Sequence, residues 1–111
     1  MSREAEIELL KAIGHPVRVR ILDALREGER NVGEIEDATA IAQPGLSQQL
    51  AILRKAGLVT TRKDAKLVFY ALDSAAIRTL AASLEKLAGT RDIAPRRGPS
   101  PGAANFARVA P

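Results

Sequence analysis

A group of uncharged hydrogen-bonding side chains occurs between residues 43 and 49: Gln43, Ser47, Gln48 and Gln49. Amide and hydroxyl groups of this kind hydrogen-bond the edges of base pairs in the major groove of DNA, where glutamine pairs well with adenine and serine with either kind of edge. An exposed helix gains little else from such residues. The chemistry that this pattern indicates is therefore recognition of bases by four side chains of one short segment.

Segment 43–56 has the pattern of the helix that would carry these side chains. Pro44 suits the first helical position, because its missing N–H costs nothing there, and Gly57 can close the helix with a left-handed cap. Apolar residues at helical spacing predict one buried stripe, which leaves the polar residues on or beside the exposed side. This stripe consists of Leu46, Leu50 and Leu53.

Basic residues are concentrated beside the same segment. Residues 38–72 contain five lysines and arginines and one aspartate, whereas the net charge of the whole chain is only +4. Residues 58–63 and 67–72 are rich in β-branched and aromatic side chains and are expected to pair as a hairpin, or wing, with cations near its tip. Cations in such a position touch the phosphate backbone of a duplex without reading its sequence. The expected backbone contacts are Arg54, Arg62, Lys63 and Lys66.

Three more helices are needed to position this segment. The first should end at Gly14, and the second should start at Pro16 and close at Gly28. Asn31 and Glu34 fit a capping box that opens a third helix, extending to about residue 39. Only a brief link follows it, so this helix and the next are expected to cross steeply as a helix-turn-helix. The residues that the third helix should bury are Val32, Ile35 and Ala38.

A last helix is predicted after Asp73, which is expected to cap it. A chain of 111 residues buries proportionally little of its surface, so a partner subunit would help to cover the apolar side chains of the first and last helices. The sequence therefore predicts a two-fold dimer, while burial within one subunit is the ordinary alternative for such residues. The expected interface consists of Ile7, Leu10, Ile77, Leu80, Leu84 and Leu87.

Composition excludes several classes of function. The chain has no cysteine, only one histidine and no glycine-rich phosphate loop, so enzymatic activity is not expected. Its apolar runs are too short to span a bilayer and its first residues lack the features of a signal peptide, so a cytoplasmic protein is expected. Residues 1–88 are expected to form one domain, and residues 89–111, which are basic and rich in Pro, Gly and Ala, a disordered tail.

The order of these motifs resembles the ArsR/SmtB family of bacterial winged-helix repressors. The resemblance is carried by residues 13–22, residues 43–54, the Gly57-Leu58-Val59 motif and the basic wing, and it spans about residues 5–88. It implies a mainly α-helical fold with a small β-hairpin, a winged helix-turn-helix that dimerises through its first and last helices. It also implies binding to an imperfect inverted repeat at the regulator's own promoter, with release by an inducer. Gln49 stands where many members have histidine, which bears on base preference.

Departures from the family concern the inducer. Metal-sensing members use paired cysteines early in the third helix, or an Asp and His set along the last one, whereas this chain has Val-Gly-Glu-Ile-Glu at 32–36 and no histidine after Ala75. No metal site and no cofactor are therefore expected. The chain is most similar to the branch that senses persulfides or oxidants through two cysteines. The matching positions, near Asp23 and Gly89, lack sulfur, so cysteine oxidation cannot be the switch.

Taken together, the sequence predicts a homodimeric transcriptional regulator, a repressor that reads an inverted repeat of double-stranded DNA with helix 43–56 and a basic wing at 62–66. A winged-helix module that binds another protein instead of DNA is the alternative. The uncharged face weighs against it, because a protein-binding face is expected to show exposed aromatic or aliphatic anchors. The effector stays open between a small apolar ligand held by the first and last helices, a partner protein, a metal held by carboxylates, and none.

Overall fold

The computed structural model describes residues 2–89, which are mainly α-helical with one small sheet, as predicted. The chain divides into two compact units, the first ending at Leu80 and the second beginning at Ala81. The predicted tail lies outside the described residues apart from Gly89, and none of the helices within 2–89 is long and apolar enough to cross a membrane. The elements in chain order are α1 (Arg3–Ile13), α2 (Pro16–Ala24), β1 (Arg30–Asn31), α3 (Val32–Thr39), α4 (Gly45–Ala56), β2 (Val59–Asp64), β3 (Leu67–Leu72) and α5 (Ser74–Ala88).

The predicted end of α1 and start of α2 are confirmed. Gly14 caps α1, and the imidazole Nδ1 of His15 accepts a hydrogen bond from the N–H of Val17 in the first turn of α2. The prediction that α2 closes at Gly28 is wrong. The helix ends at Ala24, and the N–H of Leu25 is shared between the carbonyls four and three residues back. The N–H groups of Arg26 and Gly28 donate only to carbonyls three residues back and form a turn, which Gly28 closes at φ 146°.

The capping box predicted at the start of α3 is confirmed. The N–H of Glu34 donates to Oδ1 of Asn31, and the N–H of Asn31 donates to the Glu34 carboxylate, each at 2.9 Å. Ile35 is buried as predicted, but Ala38 is exposed and Thr39 is buried in its place. The Thr39 hydroxyl donates to the Ile35 carbonyl at 2.7 Å. Because this hydroxyl is satisfied within its own helix, its burial carries little penalty.

The predicted hairpin is confirmed and belongs to a three-stranded antiparallel sheet in the order β1-β3-β2. Asp64 pairs with Leu67, so it ends β2 instead of lying in the turn. The loop is therefore only two residues long, and its first residue, Ala65, has a left-handed backbone at φ 57°. Strand β1, which pairs with the middle of β3, was not predicted, because two residues are too short for a recognisable pattern.

The core is built around the inner side of α4. Leu46, Leu50 and Leu53 are each 0% exposed, which confirms the predicted stripe. Burial of one such side chain contributes about 1.5–3 kcal/mol, so the stripe fixes which face of α4 points outward. The other buried apolar residues of the core are Leu9, Ala12, Ile21, Leu25, Ile35, Leu58, Val59 and Leu80.

Candidate nucleic-acid interface

Two of the predicted base-reading side chains project freely from α4. Ser47 and Gln48 are exposed on the side of the helix away from its buried leucines. Within residues 2–89, neither side chain forms a hydrogen bond. Their hydroxyl and amide groups are therefore available to a ligand that approaches this face.

The start of α4 differs from the prediction. The helix begins at Gly45, not at residue 43, and Pro44 is its N-cap, a residue whose side chain has no group that can cap. Gln43, joined to Pro44 by a cis peptide bond, supplies the cap from one residue earlier: its Oε1 accepts a hydrogen bond from the N–H of Ser47 at 2.9 Å. The oxygen of Gln43 is thus occupied in holding the first turn.

Gln49 is half-buried and bound to α2. Its Oε1 accepts a hydrogen bond from Nε of Arg18 at 2.9 Å. Nη1 of Arg18 lies 3.4 Å from the carbonyl oxygens of Lys11 and Ala12 at the end of α1. Arg18 therefore joins α1, α2 and α4 through one side chain. This role of Arg18 was not predicted, because no local pattern signals a pairing across 31 positions.

Three of the four cations predicted to contact the DNA phosphate backbone are free to bind a ligand. Lys63 near the end of β2, Lys66 in the wing loop and Arg54 in the last turn of α4 are all exposed. None of the three forms an ion pair among the residues that the structure describes. All three follow the exposed face of α4 along the chain, Arg54 before Gly57 and the two lysines after it.

Arg62, the fourth predicted cation, is exposed but is bonded to other side chains of the protein. Its Nε donates to Oε2 of Glu29 at 3.2 Å and its Nη2 donates to the other carboxylate oxygen, while Asp64 lies 3.6 Å from Nη1. Its guanidinium also stacks over Phe69, 4.8 Å from the ring centroid. The hydrogen bond from Arg62 stabilises the charged carboxylate and lowers the pKa of Glu29 below its ordinary value. Glu29, 33 positions away, was also missed.

The residues predicted for a dimer interface fall into two groups. Leu80 is 4% exposed and belongs to the core, and Ile77 is partly buried against it. These two side chains therefore pack within the subunit. The other four are exposed apolar residues, two on α1 and two on α5: Ile7, Leu10, Leu84 and Leu87.

Asp73 acts as the cap of α5, as predicted. Its Oδ1 accepts a hydrogen bond from the N–H of Ala76 at 3.1 Å, which satisfies a donor in the first turn of the helix. In the part of the chain that the structure covers, no group of three His, Cys, Asp or Glu side chains is arranged to hold a metal ion.

These features define a class of protein. Helices α3 and α4 followed by the β2–β3 wing form a winged helix-turn-helix, with an uncharged hydrogen-bonding face on the second helix of the motif. Residues 15–61 match the family described as bacterial regulatory protein, arsR family.

Relatives and solved structures agree with this match. The chain is 44% identical over 84 residues to the biofilm growth-associated repressor of Xylella fastidiosa, an alignment that covers 76% of this chain and 74% of that protein. It is 42% identical over 81 residues to the transcriptional activator HlyU of Vibrio cholerae, covering 73% and 75% of the two proteins. The crystal structure of the repressor BigR from Xylella fastidiosa superposes with a TM-score of 0.60 at 41% identity, covering 78% of this chain and 96% of that one.

The chain belongs to the ArsR family, and the resemblance found in the sequence is confirmed. It is a DNA-binding transcriptional regulator, and its family consists of regulators and not of enzymes.

Proposed function

We propose that this regulator is a homodimeric repressor that binds an inverted-repeat operator in the bacterial cytoplasm. The observation that carries the proposal is the exposed, uncharged pair of Ser47 and Gln48 on α4, followed along the chain by cations that have no ion pairs within residues 2–89. Uncharged donors and acceptors read base edges, whereas cations bind phosphates. The name of the Xylella relative, a repressor, supports repression; activation, the function in the name of the Vibrio relative, is the opposite outcome.

In this proposal Gln48 makes the principal base contact. A glutamine pairs with adenine through its oxygen and its NH₂ group together, and both groups of Gln48 are available. Gln43 and Gln49 use their oxygens inside the protein, with Ser47 and Arg18 as partners. Each of these oxygens is held in place by the bond that it accepts, so these two amides are less free than Gln48 to turn both groups toward one adenine.

The wing holds the protein on the phosphate backbone. Lys63 and Lys66 supply the charge, together with Arg54 at the end of α4. Arg62 has another role in this proposal: its bonds to Glu29 fix the wing to the loop before β1, so that the lysines are held in one position.

Replacing Lys66 with alanine tests the wing. Because this cation would neutralise one phosphate, Lys66→Ala weakens binding to operator and random duplexes alike and flattens the plot of log affinity against log salt by about one unit of slope. Fluorescence anisotropy across a salt series measures both quantities. Arg78→Ala, which removes an exposed cation from α5, serves as the control and leaves the slope unchanged. An unaltered slope in Lys66→Ala excludes this lysine from the phosphate contacts.

The exposed apolar residues of α1 and α5 form the dimer interface in this proposal. A two-fold dimer brings two copies of α4 to successive major grooves, about 34 Å apart, which is what an inverted repeat requires. It also removes side chains such as Leu10, 44% exposed, from water. Each residue of such an interface occurs twice, so one substitution acts on both subunits.

Replacing Leu10 with glutamate tests this interface. Leu10→Glu buries an unpaired carboxylate twice, at a cost of about 2 kcal/mol or more, and shifts the chain toward monomer in sedimentation velocity. Val19→Glu is the matched control, since Val19 is 42% exposed on α2 and outside the proposed interface; it leaves the association unchanged. Equal association of both variants and the native chain contradicts the assignment of the interface to α1.

Footprinting on the DNA upstream of the regulator's own reading frame tests the whole proposal. We expect two protected half-sites, about 10 base pairs apart from centre to centre, with two chains bound per duplex. A reporter driven by the same DNA should be repressed. Protection of one half-site by a single chain contradicts the dimer, and increased reporter expression contradicts repression.

A further inference from the structure

A cleft of about 780 Å³ lies between α1, α4 and the start of α5, all within the first compact unit. This volume is in the range of sites that bind small organic molecules. Its apolar lining is formed by Leu9, Ile52 and small alanine side chains. Its charged lining consists of Glu8, Lys11, Arg18 and Lys55.

The charges of the cleft favour an anion. Lys11 is paired with Glu8 at 3.6 Å, which leaves Lys55 and Arg18 as the uncompensated cations. Lys55 is exposed and forms no ion pair within residues 2–89. Among the residues that the structure describes, Arg18 donates only to neutral acceptors, the Gln49 amide and two backbone carbonyls. A guanidinium that lacks a carboxylate partner binds a carboxylate more strongly than it binds an amide.

We propose that this cleft is an effector site for a small organic anion with an apolar body, whose carboxylate is bound by Arg18 and Lys55. The proposal deepens the proposed function and depends on it for the coupling to DNA. Ile52 and the alanines would hold the apolar body, and the two cations would fix the orientation of the carboxylate.

Arg18 couples the cleft to the DNA-reading helix. Its Nε bond to Gln49 is the only side-chain hydrogen bond of that amide within the described residues. A carboxylate that binds Arg18 through Nε and Nη2 competes with Gln49 for the Nε donor. Release of Gln49 then changes the side chain next to Gln48 on α4. An effector changes the affinity for DNA only if it binds two conformations of the protein with different affinities. Here the two conformations differ in the hydrogen bond between Arg18 and Gln49.

The cleft and the proposed dimer interface use different faces of α1. Ala5, Glu8 and Ala12 line the cleft at positions i, i+3 and i+7, which share one side of a helix. Ile7 and Leu10 lie on the opposite side by the same spacing. The two subunits of a dimer can therefore associate through α1 without occupying the cleft.

Isothermal titration calorimetry on the full chain without DNA tests the site. The probes are octanoate, octanol with the same tail and no charge, and acetate with the charge and no tail. We expect saturable binding of one octanoate per chain, with octanol and acetate at least about tenfold weaker. Equal binding of octanol and octanoate overturns the anion site, as does no binding of octanoate.

Two substitutions locate the bound carboxylate. Lys55→Gln weakens octanoate binding by about two- to fivefold, as expected for loss of one exposed ionic contact. Arg18→Gln weakens it further, and its thermal melt checks that the fold is kept. Arg78→Gln removes an exposed cation outside the cleft and leaves the affinity unchanged. Native affinity in Lys55→Gln overturns the site even if Arg18→Gln does not fold.

The coupling is tested separately with DNA. Saturating octanoate changes the affinity of the native chain for its upstream duplex by about fivefold or more, the lower end of usual allosteric coupling. Gln49→Met, which removes the acceptor of Arg18 and keeps the side-chain length, still binds octanoate but loses this change. A change that persists in Gln49→Met overturns the coupling. If the chain binds octanoate but not DNA, the proposed function is wrong and the anion site is supported. If the chain binds DNA but not octanoate, the anion site is wrong and the proposed function is supported.

Discussion

Replacing Gln48 with alanine lowers the affinity for the cognate operator by about 1–3 kcal/mol and leaves binding to random duplex nearly unchanged. The reason is that Gln48 has no partner inside residues 2–89 and can offer its oxygen and its NH₂ group together to one adenine. Anisotropy titrations with the two duplexes at one salt concentration measure the difference.

The random duplex is the internal control for this substitution, because phosphate contacts are common to both titrations. Gln49→Ala provides a second comparison. With its oxygen already bonded to Arg18, Gln49 has less to lose, so its effect on the operator should be smaller than that of Gln48→Ala. Equal losses on operator and random DNA would exclude Gln48 from base recognition.

Replacing Leu50 with alanine lowers the free energy of unfolding by about 2–5 kcal/mol. Leu50 is 0% exposed and lies between Leu46 and Leu53 on the buried side of α4, so its removal leaves a cavity in the centre of the core. Urea unfolding followed by circular dichroism measures the loss. The native chain and the variant are unfolded in urea at the same protein concentration, since association of chains contributes to apparent stability.

Ile52→Ala is the matched control for this core substitution. Ile52 is on the same helix but is 38% exposed, so its truncation costs about 1 kcal/mol or less. A loss for Leu50→Ala as small as that for Ile52→Ala would mean that α4 does not anchor the core as described. Since the same helix carries the reading face, Leu50→Ala should also reduce the fraction of chains competent to bind DNA.

The helices and the hairpin could be predicted because their signals are local. The Asn31 and Glu34 capping box, the left-handed cap at Gly57 and the leucine stripe of α4 each depend on residues within a few positions of one another. The order of these signals along the chain produced the family resemblance, which predicted the class of protein correctly.

What the sequence could not predict depends on contacts between distant residues. Arg18 bonds Gln49 across 31 positions and Arg62 bonds Glu29 across 33, and neither pair has a recognisable spacing. Consequently the sequence predicted four equivalent base-reading side chains and four equivalent cations. The structure separates those that have no partner within residues 2–89 from those that are bonded to other residues. The start of α4 was misplaced for a related reason: the amide of Gln43 caps a helix that begins two residues later.

The central claim is that this chain reads a specific DNA sequence with α4. The most direct test is fluorescence anisotropy of the purified protein against its own upstream intergenic DNA and a scrambled duplex of equal length, across a salt series. We predict tight binding to the upstream DNA that falls steeply with salt, and binding to the scrambled duplex weaker by at least about a thousandfold. Equal weak binding to both duplexes, or none, would contradict the account.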